Sequence, residues 1–108
     1  FSQMTGITRR QKLESMLAAS PDDQLLRYML AMEFDKESDH QRSMVLFQGL
    51  MEESPPYVPA FLMAGQLLTR LDRLDEARNS YKMGIVAART QNNDHAAGEM
   101  TSFLQALE

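Results

Sequence analysis

The chain has 108 residues, 44% of them apolar, and eleven Lys and Arg against fifteen Asp and Glu, for a formal net charge of −4. That apolar content supports one modest core and excludes a disordered chain, while the scattered, outnumbered cations exclude a phosphate-binding face, so nucleic acid is not an expected partner. No cysteine is present, hence no disulfide and no thiolate metal ligand, which fits a cytoplasmic protein; no apolar run nears the roughly 20 residues that cross a bilayer, so no membrane partner is expected.

The leading Phe1-Ser2-Gln3 reads as a cleaved-tag remnant ahead of a start at Met4, with residues 1–7 outside the fold. Arg9, Arg10 and Lys12 have no apolar run behind them, so a secretory signal is not expected. Periodicity then predicts six helices. The first covers 8–19, with Leu13, Met16 and Leu17 on one face, and Ser20-Pro21-Asp22-Asp23 stops it and caps the next. The second covers 24–36, with Leu26, Leu30 and Phe34 at i, i+4, i+8, and turns at Ser38-Asp39. The third covers 40–53, with Met44, Phe47, Leu50 and Met51 facing one way, and ends before Pro55-Pro56.

The fourth covers 58–71, with Phe61, Ala64, Gly65 and Leu68 inward and Pro59 in its first turn. The fifth covers 74–90, with Ala77, Tyr81, Gly84, Ile85 and Ala88 inward. The sixth covers 95–107, with Met100, Phe103, Leu104 and Leu107 on its face after the Asn92-Asn93-Asp94 cap. No segment alternates at period 2, so the chain is expected to be all-α, with neighbouring helices antiparallel across short turns. Nine methionines are many, and Met16, Met44, Met51 and Met83 read as gap-fillers on or near packing faces.

A step of 34 residues runs through these helices. Leu13, Phe47 and Tyr81 stand 34 apart, and so do Pro21 and Pro55, Phe34 and Leu68, and Ser43 and Ala77; the pair Leu30-Ala31 likewise leads to Ala64-Gly65. Each match preserves size or role, which is the signature of a stacked repeat. The spaced set Phe61, Ala64, Gly65, Leu68, Ala77, Tyr81, Gly84 resembles the tetratricopeptide repeat, a helix–turn–helix unit. Leu30, Ala31, Phe34, Ser43, Phe47 and Pro55 form a weaker version of the same pattern. The resemblance implies helix–turn–helix units stacked in a right-handed superhelix. They divide into a half unit at 8–23, full units at 24–57 and 58–91, and a capping helix at 94–107. Arg27, Arg89, Ser38 and Asp72 depart from the pattern, at a large apolar position, a boundary proline and two turn glycines.

The resemblance also implies a function: a non-enzymatic interaction module that takes a peptide or helix in a concave groove lined by the first helix of each unit. Here that lining is Leu25, Tyr28, Met32, Asp35 and Lys36, then Leu62, Met63, Gln66, Thr69 and Arg70, continued by Asn93, Ala96 and Met100. Tyr28, Met32 and Met63 would give adaptable apolar contact, and Lys36 and Arg70 would meet carboxylates. The clamp by which some relatives hold the C-terminal carboxylate of heat-shock chaperones needs Lys and Asn where Tyr28 and Met32 stand, and Asn where Met63 stands, so no such clamp is expected. A homodimer through half-covered end faces at Leu13, Leu17, Phe103 and Leu107 is the alternative reading. No catalytic residue, cofactor or metal is expected. His95 and Glu99 share a face, but a metal site normally needs about three or four ligands, and His40 beside Asp39 reads as a helix-start residue.

Overall fold

The computed structural model describes residues 7–108, leaving the proposed start at Met4 outside the described residues. Within them the chain forms six helices: α1 (Arg9–Ala19), α2 (Gln24–Lys36), α3 (His40–Met51), α4 (Val58–Arg70), α5 (Leu74–Thr90) and α6 (Asp94–Ala106). No strand occurs among the described residues. Each helix falls within about two residues of its expected span. The largest shortfall is α3, which stops at Met51 rather than at 53. Two compact units are distinguished, the first ending at Leu46 and the second running from Phe47 to Glu108.

In the first unit, α1 begins with a capping box in which Thr8 and Gln11 each accept from the other's backbone N–H. Asp23 then caps α2, accepting from the Leu26 N–H at 2.9 Å. Helix α1 packs on α2, and Leu13, Leu30 and Phe34 form the core there, flanked by Leu17, Leu26, Met29 and Leu46. The fully buried Ser43 of α3 donates its hydroxyl to the Ala31 carbonyl of α2 at 2.7 Å. Both residues are small, so that bond brings two backbones close.

The second unit is organised around two glycines. An added Cβ at Gly65 of α4 would overlap the Tyr81 ring of α5, and one at Gly84 of α5 would overlap Phe61 of α4 and Met100 of α6. Helix α5 therefore presses against both neighbours, and α4 also touches α6. The Ser80 hydroxyl donates to the Phe61 carbonyl at 2.9 Å, tying α5 to α4 where they are closest. Phe47, Leu50, Phe61, Leu67 and Met100 are fully buried in this unit. Met16 and Met83 correct the expectation for methionines: both are exposed, because they stand one helical step off the buried rows of α1 and α5.

Three turns are built alike. After α2 the Asp39 N–H reaches the Phe34 carbonyl at 2.8 Å and the Ser38 N–H reaches Asp35. After α4, Arg73 and Asp72 make the same pair of bonds to Leu68 and Thr69, and after α5, Asn93 and Asn92 make them to Ala88 and Arg89. This is the Schellman arrangement. Its left-handed position is held by Ser38 (φ 64°), Asp72 (φ 59°) and Asn92 (φ 61°) rather than by glycine. The next residue starts the following helix: Asp39 accepts from Arg42 N–H and Asn93 from Ala96 N–H. Arg89, at the expected proline position, does not stop α5; the Asn92 turn does.

Gly65→Ala and Gly84→Ala should destabilise by about 1–3 kcal/mol through overlap. Gly49→Ala and Gly98→Ala are also helical but have nothing within 4 Å of the added Cβ, so they should stabilise by about 0.5–1 kcal/mol. Chemical denaturation of the four variants checks the reversal of sign. Ser38→Gly should raise stability by about 0.5–1 kcal/mol by removing left-handed strain. Asp72→Gly and Asn92→Gly should gain less, because Asp and Asn tolerate that region.

Candidate functional site

On α2, Leu25, Tyr28, Met32 and Lys36 recur every three or four residues along one face. Leu25 is 56% and Met32 38% exposed, Lys36 is exposed and Tyr28 is half-buried. On α4, Pro59, Leu62, Met63, Gln66, Thr69 and Arg70 share the face opposite Phe61, Ala64 and Leu68, and all are partly or fully exposed. Each helix therefore buries one side and keeps an apolar-polar strip on the other.

Met100 does not belong with them. It is fully buried, its thioether occupying the space beside Gly84. The missing side chain at Gly84 is what draws Met100 inward, so it is a core residue and not a groove residue. Of the four end-face residues, Leu17 and Leu107 are half-buried as expected, and Leu13 alone is fully covered. Leu13 is buried in the first unit's core. Phe103, although 39% exposed, stacks on Tyr81 with ring centres 5.8 Å apart.

Charged groups form local surface pairs. Arg10 bonds Glu37 at 2.9 Å and Glu14 at 3.1 Å, and its guanidinium lies 6.0 Å from the Phe34 ring centre, with Arg42 at 5.6 Å. The Glu37 hydrogen bond raises the Arg10 pKa above its ordinary value. Arg73 holds Glu76 through two 2.6 Å bonds, and the hydrogen bond lowers the Glu76 pKa. His40 Nδ1 lies 3.2 Å from Asp35 Oδ1, rather than acting only as a helix-start residue. His95 Nε2 is 3.8 Å from Glu99, well exposed. Among the described residues no three His, Cys, Asp or Glu side chains gather where they could hold a metal ion. Among the described residues no helix is long and apolar enough to cross a membrane.

The second unit carries a concavity that the helix-face reading of the sequence missed. It holds about 490 Å³ between the end of α3, the Pro55-Pro56 segment, α4 and α5. Phe61 and Ala87 form its floor, Met51 and the prolines one wall, Met83 and Val86 the other. The Gln91 side-chain amide donates to the Pro56 carbonyl at 2.8 Å, pinning the proline segment to the end of α5. The sequence held a signal for it: Met83 and Val86 fall outside the buried row Ala77, Tyr81, Gly84, Ile85, Ala88.

A curated TPR repeat-containing protein of Pseudomonas aeruginosa is 31% identical over 96 residues, covering 89% of this chain and 91% of that protein. The chain belongs to the tetratricopeptide repeat family. No family model matches this TPR chain. The tetratricopeptide repeat domain protein of Salinibacter ruber is similar at 35% identity and a TM-score of 0.77 in its solution structure, over 82% of this chain and 89% of that one. Its crystal structure gives 34% and 0.72, over 80% and 96%. A Bordetella parapertussis protein, 24% identical with a TM-score of 0.77 over 93% and 87%, shares the fold. TPR proteins generally mediate protein–protein interaction and are generally non-catalytic.

Tyr81, a signature position of the TPR pattern, gives a pH test. Burial raises its hydroxyl pKa above 10, offset in part by a hydrogen bond with Thr69. The folded chain holds that proton more tightly than the unfolded chain. The contribution is therefore intact below about pH 10 and lost as pH rises through the folded value. Ultraviolet titration should show one tyrosine ionising late, and Tyr81→Phe should remove that late step.

Proposed function

We propose that this TPR chain is a non-enzymatic interaction module that binds a peptide or helix through the exposed strips of α2 and α4. In this reading the repeat units run 8–23, 24–57 and 58–91, with a capping helix at 94–107. The observation that carries the reading is the exposure of Leu25 and Met32 on α2, with Leu62 and Met63 half-buried on α4. Apolar side chains left at the surface in a row commonly mark a contact site. Tyr28 and the methionines offer adaptable contact, while Lys36 and Arg70 suit carboxylates. Tyr28, Met32 and Met63 stand where a chaperone-tail clamp would need Lys and Asn, so an acidic chaperone tail is not the proposed ligand. Self-association through the terminal helices has less support, since Leu13 is buried and Phe103 lies on Tyr81.

The test compares partner recovery by the wild-type chain with the pairs Tyr28→Ala/Met32→Ala and Met63→Ala/Arg70→Ala. Each pair should weaken the recovered partner at least about tenfold, as loss of central contacts does, with little change in thermal stability. Unfolding of the variants, or undiminished recovery, would remove these strips from the binding surface.

A further inference from the structure

The concavity beside α5 offers a second surface, chemically unlike the first. Asn79, Lys82, Met83, Val86, Arg89 and Thr90 are all exposed and recur every three or four residues on α5. They make a stripe about 16 Å long at 1.5 Å per residue. Met83 is 52% and Val86 64% exposed, at the mouth of the apolar concavity floored by Phe61. The charge is one-sided. Although the chain is acidic overall, residues 77–93 contain no Asp or Glu, and no carboxylate lines the concavity. Lys82 and Arg89, one turn to either side of Val86, enter no ion pair among the described residues. By contrast, Arg78 is satisfied by Asp75 at 2.7 Å and by the Leu107 carbonyl at 2.9 Å.

We propose that this face docks an acidic amphipathic helix of a protein partner. One bulky apolar side chain of the helix fills the space between Met51, Pro55 and Phe61, and glutamates on its flanks meet Lys82 and Arg89. Helix-in-groove recognition uses apolar anchors at i, i+3, i+4 and i+7 of the incoming helix, and Met83 and Val86, three residues apart, give the α5 stripe an apolar centre for them. A concavity of this size and lining accepts such an anchor, and the two thioethers at Met51 and Met83 adjust to its shape. The flanking cations select charge: an acidic helix gains at both ends, and a basic one is repelled at both. The surface lies on α5 and the end of α3, so it succeeds or fails independently of the strips on α2 and α4.

The experiment uses the whole chain with its methionine methyls isotopically labelled. The probe is a capped peptide of about 14 residues, long enough to span the stripe as a helix, with Leu at i, i+4 and i+7 and Glu at the flanking positions. Its counterpart carries Lys at every Glu. The Met51 and Met83 methyl signals should shift on titration with the acidic peptide, while Met32 and Met63 stay in place. Added salt should weaken binding. Met83→Glu and Lys82→Glu change exposed side chains and leave the fold intact; each should lower affinity at least about tenfold. Absence of shifts at Met51 and Met83 would overturn the proposal, as would equal binding of the basic peptide or undiminished binding to Met83→Glu. Two further results would also overturn it. Concentration-dependent dimerisation that Met83→Glu abolishes would assign the face to a second copy, and tighter binding of dodecanoate than of the peptide would assign it to a lipid.

Discussion

The structure of the second unit depends on two places where a side chain is missing. Gly65 lets the Tyr81 ring lie against the α4 backbone, and Gly84 lets Phe61 and Met100 close on α5 from both sides. A methyl group at either position would push helices apart, because close-packed interiors have no slack to absorb it. The consequences propagate. With α5 held close to α4, Ser80 can reach the Phe61 carbonyl, and the Tyr81 hydroxyl can bond Thr69. With α6 held close to α5, Phe103 comes to stack on Tyr81, and Arg78 reaches the Leu107 carbonyl. In the first unit the position matching Gly65 is Ala31 and that matching Ala77 is Ser43. Closeness there is secured by small residues and a hydrogen bond rather than by an aromatic ring over glycine.

Short connections impose the second constraint. Each Schellman turn leaves only three residues between helices, and the last of them stands directly before the next helix. The orphan carbonyls of each helix are then satisfied within a few residues, and Asp39 and Asn93 also accept from an N–H group of the helix that follows. A left-handed residue is required at each turn, and this chain uses Ser38, Asp72 and Asn92 there. A small amount of stability is stored as strain in return for sequence positions that carry polar side chains.

Packing also decides which surfaces are left for function. Helices that bury one side against a neighbour keep the other, and on α2 and α4 that remaining side is partly apolar. On α5 burial takes Ala77, Tyr81, Gly84, Ile85 and Ala88, leaving Lys82, Met83, Val86 and Arg89 outward. The two kinds of strip differ in charge. Lys36 on α2 lies among acidic neighbours, Glu33 at 3.9 Å, whereas residues 77–93 are free of carboxylates. Surfaces with such different fields would select different partners.

The sequence by itself determined the helices, their turns and the family. The 34-residue step survives as burial, for Leu13, Phe47 and Tyr81 are all buried, and so are Ser43 and Ala77. Local rules suffice there, because periodicity, caps and prolines act within a few residues. The strips of α2 and α4 were legible for the same reason: a helical face is a local property. Tertiary structure alone decided the fate of Met100 and Phe103, which share a helical face in the sequence. Met100 meets the gap at Gly84 and is buried, while Phe103 meets the Tyr81 ring and keeps 39% of its surface in water. It likewise decided the concavity, whose walls come from α3, a proline segment, α4 and α5. No periodicity within one helix can report a space enclosed by several, because such a space depends on how closely their backbones approach.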